Sequence, residues 1–394
     1  MAKNGSGPVH ECRHFNGYKP CGKSEICDLL CPHLSVPTVR ILLIHLEALG
    51  AVMRSTALLP AIRRKYPGSH ITWVTQKPAH HLLAENPLID RVLTTDAEDL
   101  LKLSVLEFDI ALMIDKGQKS AGVLKLTQAD VVYGFSVDPR SGAVLPATHA
   151  ARELWEIGLS DRKKFVENSK TETQLAHEAL ELGPWVRDDY VLRLSESEKR
   201  EAHLRRQSWA ANGEIVIGLN TGCSGVIPYK KLTIEKHREL IVLLSATPGV
   251  RVVLLGGKED AERNERIAFG LPVIQSPTGA GLRDGIVSVS ACDIVLTGDS
   301  LGMHLAIALG KWTVAWFGPT CSHEIDLYDR GVQVLSAASC GPCWKRSCSR
   351  STMCYDLVSI DDLVRGIQLG IGRESKREVN DSPSDSRRPD GVSR

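Results

Sequence analysis

The stretch IVLTGDSLGMHLAIALGKWTVAWFGPT, residues Ile294 to Thr320, decides the fold. Its opening Ile294-Val295-Leu296 is an apolar run suited to a strand buried on both faces. Gly298 and Asp299 interrupt it, residues 300–309 continue without a breaker as a helix, and residues 311–317 begin a second β-rich run that Gly318-Pro319 closes. Strand, polar turn, helix, strand is the repeating unit of a parallel α/β sheet. In such sheets ligands bind beyond the carboxyl ends of the strands, and a helix N-terminus there favours phosphate. Asp299, Ser300, Gly302 and His304 gather at that turn, which makes it a candidate site for a nucleotide-linked ligand. An Asp-Ser pair at a helix start is also an ordinary N-cap, with His304 one turn on as its partner. The turn therefore takes its weight from the rest of the chain.

The same alternation runs outward from it. Residues 39–46 read as a strand, Gly50 as a turn and residues 52–65 as a helix, which Pro67-Gly68 breaks before a strand at 70–75. Further strands are expected at 91–94, 109–114 and 131–135, with helical segments between them, the pattern of βαβ units. Residues 146–182 are mainly helical in pattern, and Gly183-Pro184 with the polar run 194–201 marks the crossing to a second domain. There the alternation restarts: strand 214–220, loop 221–224, helix 234–244, strand 251–255 ending in Gly256-Gly257, helix 260–269 and a short strand 273–275. Residues 360–369 read as a terminal helix. The expected organisation is a Cys-rich arm at 1–37, Rossmann-like domains at 38–190 and 191–371, and a disordered tail at 372–394.

At 394 residues the chain exceeds one ordinary core, so two domains are expected. A net charge of +1 leaves no footprint for nucleic acid. No apolar run has the length of a membrane span, and the N-terminus lacks the apolar core of a signal peptide, so a cytoplasmic location is expected. Eight of the 11 cysteines fall in two clusters, Cys12, Cys21, Cys27, Cys31 and Cys340, Cys343, Cys348, Cys354. Four soft ligands at close spacing suit tetrahedral zinc or an iron–sulfur cluster, and disulfides are rare in the cytosol. Structural zinc is the preferred reading, since nothing else points to electron transfer. The arm cannot build a core alone and needs a cross-link, a metal or a docking surface.

Five ordered motifs carry a family resemblance: RILLIHLEALGAVMRSTALLPAIRRKYPGSHITWVT, VIGLNTGCSG, VVLLGGKEDAERN, DSLGMHLAIALGKWTVAWFGPT and CGPCWKRSC. Over about residues 38–370 the chain resembles glycosyltransferase family 9, the heptosyltransferase-like enzymes of lipopolysaccharide core assembly. The resemblance implies a GT-B fold of two Rossmann-like domains facing a cleft. It also implies inverting transfer from a nucleotide sugar (ADP-heptose in the characterised branch) to a lipid- or saccharide-linked acceptor, with no cofactor required for transfer. Transient contact with the inner membrane face is compatible with such an acceptor. Thr221, Gly222 and their loop would meet the donor phosphates, with Lys230 or Lys231 adding positive charge. Glu259 or Asp260 would approach the nucleoside, and Asp299, Ser300, Gly302 and His304 would hold the pyrophosphate and sugar. One departure matters: the family's first-loop Gly-Asp, whose Asp is assigned as general base, is Gly50-Ala51 here. Glu47 is the nearest carboxylate and the candidate base. Arg54 is the candidate acceptor-phosphate contact, its alternative being a helix-surface charge. The loss of Asp at position 51 equally suits an inactive or divergent nucleotide-sugar-binding protein.

Overall fold

The computed structural model describes residues 7–381. It divides into two compact units, one running to Glu196 and including Cys321–Asp326, the other formed by Ser197–Thr320 and the chain from Leu327. The first unit carries β1 (Arg40–Ile44), β2 (His70–Thr75), β3 (Arg91–Thr94), β4 (Glu107–Met113), β5 (Gln128–Val137) and β6 (Val144–Pro146). They form one sheet in the order β3-β2-β1-β4-β5-β6, parallel except for β6, which runs against β5. The second unit carries β7 (Ile215–Asn220), β8 (Val250–Leu255), β9 (Ile274–Gln275), β10 (Ile294–Gly298), β11 (Trp312–Phe317) and β12 (Gly331–Leu335). These are wholly parallel, in the order β12-β11-β10-β7-β8-β9. Each sheet is thus the same doubly wound design. The direction of winding reverses between β1 and β4 in one unit and between β7 and β10 in the other.

The central strands read as apolar runs because helices cover both faces of a parallel sheet. All of β2 and β10 is buried, as is β1 from Ile41 on. Leu42, Ile44 and Phe135 belong to the first core, and Leu219, Leu296, Val314 and Trp316 to the second.

Several elements depart from the sequence reading. The helix expected over 52–65 is three pieces: α-helix Leu49–Ser55, a 3-10 turn Thr56–Leu58, and α-helix Leu59–Lys65. Pro60 lies in the first turn of the last piece, where its missing N–H costs nothing but the preceding residues cannot continue a regular helix. The polar run at 194–201 opens a helix, Glu196–Trp209, anchored by the buried Arg205. Arg205 donates to Asp284 at 2.8 Å, Ser288 at 2.7 Å and Glu201 at 3.0 Å. The last helix runs Ile360–Asp381, past Gly372 where the composition marks a disordered tail. Residues 1–6 of the arm and 382–394 of the tail lie outside the described residues. Among the described residues no helix is long and apolar enough to cross a membrane.

That last helix closes the second core. Trp312 Nε1 donates to the Gly366 carbonyl at 2.9 Å, and a Cβ at Gly370 would lie 2.3 Å from the Trp312 ring. Gly370→Val must lift the helix from the sheet, so it should destabilise the protein by roughly 1–3 kcal/mol. A urea titration followed by tryptophan fluorescence measures this, and an unchanged midpoint would contradict the packing.

Candidate active site

The second unit's reversal brings the loops after β7 and β10 together, and one side chain joins them. Asn220, the last residue of β7, directs Nδ2 at the Gly222 carbonyl (2.9 Å), Ser300 Oγ (3.0 Å) and Thr297 Oγ1 (3.2 Å). Gly302 is what lets the following helix, Leu301–Ala308, come this close, since a Cβ there would stand 2.6 Å from Asn220 Cγ. Because Ser300 is held by Asn220 and Thr297, it does not cap the helix, and no side-chain cap bond is present at that N-terminus. Asp299 lies beside it, with Lys230 Nζ 3.7 Å from Oδ2 and His304 Nε2 4.0 Å from Oδ1. An uncapped helix N-terminus with a lysine nearby favours an anion, with the Asp299 carboxylate acting against it.

The adjoining loops are tightly stacked. Asp260 Oδ2 accepts the Gly257 N–H at 3.0 Å, and a Cβ on Gly222 would fall 2.0 Å from that same oxygen. Burial raises the Asp260 carboxyl above its ordinary range, against the opposing pull of the Gly257 N–H and of Lys231. Lys231 also lies near Cys223, whose thiol burial pushes upward. Glu259 is exposed and its carboxylate lies over Gly257. Thr221 is fully buried and its hydroxyl donates inward, to Asn264 Oδ1 at 2.5 Å with the Leu255 carbonyl at 3.1 Å. Its side chain anchors the loop from beneath, and any phosphate contact there falls to the loop backbone.

In the first unit, the reversal between β1 and β4 is filled with paired charges. His45 follows β1; Ser55 Oγ lies 2.7 Å from its Nδ1 and Asp115 Oδ1 3.3 Å from its Nε2. Asp115 Oδ2 also accepts the Leu46 N–H at 2.6 Å and the Ser120 hydroxyl at 2.7 Å. Ser-His-Asp is a hydrolase order, but Ser55 is buried and the set braces the β1 and β4 loops instead. Burial holds His45 below its ordinary pKa, with Asp115 opposing. Arg54 is neither an exposed surface charge nor unpaired: it meets Glu172 at 2.6 Å. Burial works against ionising Glu172, yet Arg54, Lys164 and Lys116 outweigh it and hold the carboxyl below its usual range. Glu47 is exposed and pairs with Lys119 at 2.7 Å. Close by in sequence to β11, Cys321, His323 and Glu324 place one ligand atom each within 4.8 Å of one another. His323 Nε2 lies 3.1 Å from the Lys164 carbonyl, and Lys164 Nζ is 3.6 Å from Glu324.

A model of glycosyltransferase family 9 (heptosyltransferase) matches residues 101–353. The chain belongs to glycosyltransferase family 9. No curated protein matches the sequence. Among solved structures, the family 9 glycosyltransferase of Veillonella parvula superposes with a TM-score of 0.61 at 18% identity, over 86% of this chain and 99% of that one. The E. coli ADP-heptose lipopolysaccharide heptosyltransferase II gives 0.62 at 18% identity, over 85% and 99%. TibC of enterotoxigenic E. coli, an iron-containing dodecameric glycosyltransferase, gives 0.54 at 12% identity, over 86% and 77%. The fold is that of these GT-B enzymes, two Rossmann-like units, one wound on a parallel sheet and the other on a parallel sheet with one antiparallel edge strand.

Within this glycosyltransferase, the structure gathers Asp299, Ser300, Gly302, His304 and Lys230 at one reversal, with Gly222 and Asp260 stacked beside it. Asn220 is the residue sequence reasoning passed over. Its one signal was a polar side chain ending an otherwise apolar strand. On the helix Ile234–Ser245, the buried His237 ring places Nδ1 2.8 Å from the Thr233 carbonyl. Burial pushes His237 down to about 4, from 6.5. The unfolded chain therefore binds the proton first. The stability tied to this neutral ring is complete above about pH 6.5 and is lost as the pH falls toward 4. His70, also held at about 4 by burial, adds in the same sense. Urea midpoints across this range should decline steeply, and His237→Gln should flatten the slope. An identical slope in the variant would contradict the assignment.

Proposed function

We propose that this heptosyltransferase-like glycosyltransferase moves a sugar, heptose from ADP-heptose, to a hydroxyl of a lipid- or saccharide-linked acceptor such as a lipopolysaccharide core. The observation that carries the reading is the uncapped N-terminus of helix Leu301–Ala308, with Lys230, Asp299 and His304 around it. In an inverting transfer the acceptor oxygen forms the new bond to the anomeric carbon as the bond to the diphosphate oxygen breaks. The acceptor proton passes to a base, and ADP leaves. Charge develops on the departing diphosphate, where first-turn N–H groups and the Lys230 ammonium stabilise it most. Asp299 orients Lys230 and His304 for that task. The transfer asks for no cofactor. The donor assignment is supported by neighbours whose titles name ADP-heptose lipopolysaccharide heptosyltransferase II, and WaaC with ADP or with ADP-2-deoxy-2-fluoro heptose.

Glu47 is the proposed base, an exposed carboxylate in the loop after β1 that pairs with Lys119 at 2.7 Å. The substitution of the family's Asp by Ala51 favours a second reading, a nucleotide-sugar-binding protein without turnover. The loop cysteines Cys340, Cys343, Cys348 and Cys354 form a further proposal, a structural metal site. Its support is four thiols within one loop that backs onto Gly318, and the iron-containing neighbour TibC.

In a thermal-shift panel of ADP, UDP, GDP and CMP, ADP alone should stabilise, by about 2.7 kcal/mol at a hundredfold excess over its dissociation constant. Asp299→Ala should abolish that shift. Preference for another nucleotide would discard ADP-heptose. Glu47→Gln should cut turnover of ADP-heptose about 100-fold or more while sparing ADP binding. Turnover at the native rate would remove Glu47, and donor that is bound but never consumed by the native protein would favour the second reading.

A further inference from the structure

We infer that the N-terminal arm holds one zinc ion on the thiolates of Cys12, Cys21, Cys27 and Cys31, and that this ion is what folds the arm against the first unit. All four cysteines, spread over 20 residues of chain, line a single cavity of about 10 Å³. None is in a disulfide. Convergence of four soft ligands from a segment with no helix or strand of its own is the donor set of a structural tetrathiolate site. The cavity has room for a single ion among the four thiols.

The local backbone is shaped to present sulfur inward. Gly17 and Gly22 take positive φ (61° and 75°), turning the chain between Cys12 and Cys27. The Cys31 N–H donates to the Asp28 carbonyl at 3.1 Å and the Leu34 N–H to the Cys31 carbonyl at 3.0 Å, forming consecutive turns around the last thiol. The Ser35 N–H already points at Cys12 Sγ, at 3.5 Å, the kind of donor that supports a metal-bound thiolate. No three of the four sulfurs lie within 4.8 Å of one another, so coordination draws the loops inward and couples binding to the ordering of the arm.

Among its described residues the arm has little apolar packing to hold it together. Tyr18, Leu29 and Leu30 are 86%, 68% and 82% exposed, and Phe15 and Leu34 are only half-buried beside the cysteines. What it has is a docking clamp. Arg13 donates to the Gly68 carbonyl (2.8 Å), the Ser69 carbonyl (3.3 Å) and Asp90 (2.9 Å), and Arg40 reaches the Glu11 carbonyl at 3.2 Å. Gly68, Ser69 and Asp90 precede β2 and β3, at the amino ends of the parallel strands. The site is therefore at the end of the sheet opposite the carboxyl-end loops where ligands bind, and its role is structural.

The test uses the full chain, purified without added metal, with zinc and iron measured by elemental analysis. The native protein should carry one more equivalent of zinc than Cys21→Ser/Cys27→Ser, whatever the second cluster binds. Cobalt exchanged into the native protein should give tetrahedral tetrathiolate absorption that the double variant lacks. The double variant should also lose its arm to trypsin at least 10-fold faster, with the thermal midpoint of the remaining chain unchanged. Should that variant fail to fold, titrating the native protein with a chelator and following trypsin cleavage of the arm reads the same property. Equal zinc in both proteins, iron in place of zinc at the arm, or chelator-insensitive cleavage would overturn the inference.

Discussion

The bond set made by one amide, Asn220 Nδ2 to Gly222, Thr297 and Ser300, is the constraint on which the second unit's paired loops depend. A doubly wound sheet necessarily opens a gap where its strand order reverses, because successive crossovers leave in opposite directions. The gap is useful only if the two loops that border it hold a fixed spacing. Here the spacing is set by an amide that reaches across β10, and it is permitted by glycine at 222, 298 and 302. A Cβ at those positions would meet Asp260, the Lys230 carbonyl and Asn220 at 2.0, 2.0 and 2.6 Å. Engaging Ser300 in this network leaves the helix after it uncapped, so the brace and the binding capacity have the same origin.

The first unit repeats the topology with different chemistry. Its reversal between β1 and β4 is filled by His45, Asp115 and Ser55, with the Arg54–Glu172 pair beside them. These groups satisfy one another, and what stands exposed is the Glu47–Lys119 pair at the loop surface. Two copies of one fold thus present an uncapped helix end in one case and a braced, charge-paired loop in the other. That division is what a donor diphosphate and an acceptor hydroxyl would separately require.

Much of this was legible in the sequence wherever local signals agreed. Strands β2 and β3 and the alternation around β10 followed from apolar runs and nearby glycine and proline, and the residues of the turn after β10 lay together in the chain. The rest was set by long-range contacts. His45 and Asp115 are 70 residues apart and carry no common pattern. Asn220 looked like a strand end. Helix Glu196–Trp209 is polar almost throughout, and its buried Arg205 is held by Asp284 and Ser288, about 80 residues on. Thr221 looked like a phosphate ligand by position, but a buried partner, Asn264, takes its hydroxyl. The tail's polar composition concealed the helix continuing past Gly372 to Asp381.

The most direct measurement is a crystal structure of the protein with ADP. The account predicts the diphosphate against the backbone N–H groups of Leu301 and Gly302, with Lys230 turned toward it and Asn220 still joining the two loops. ADP bound elsewhere in the molecule, with that helix end solvated and Lys230 turned away, would contradict it.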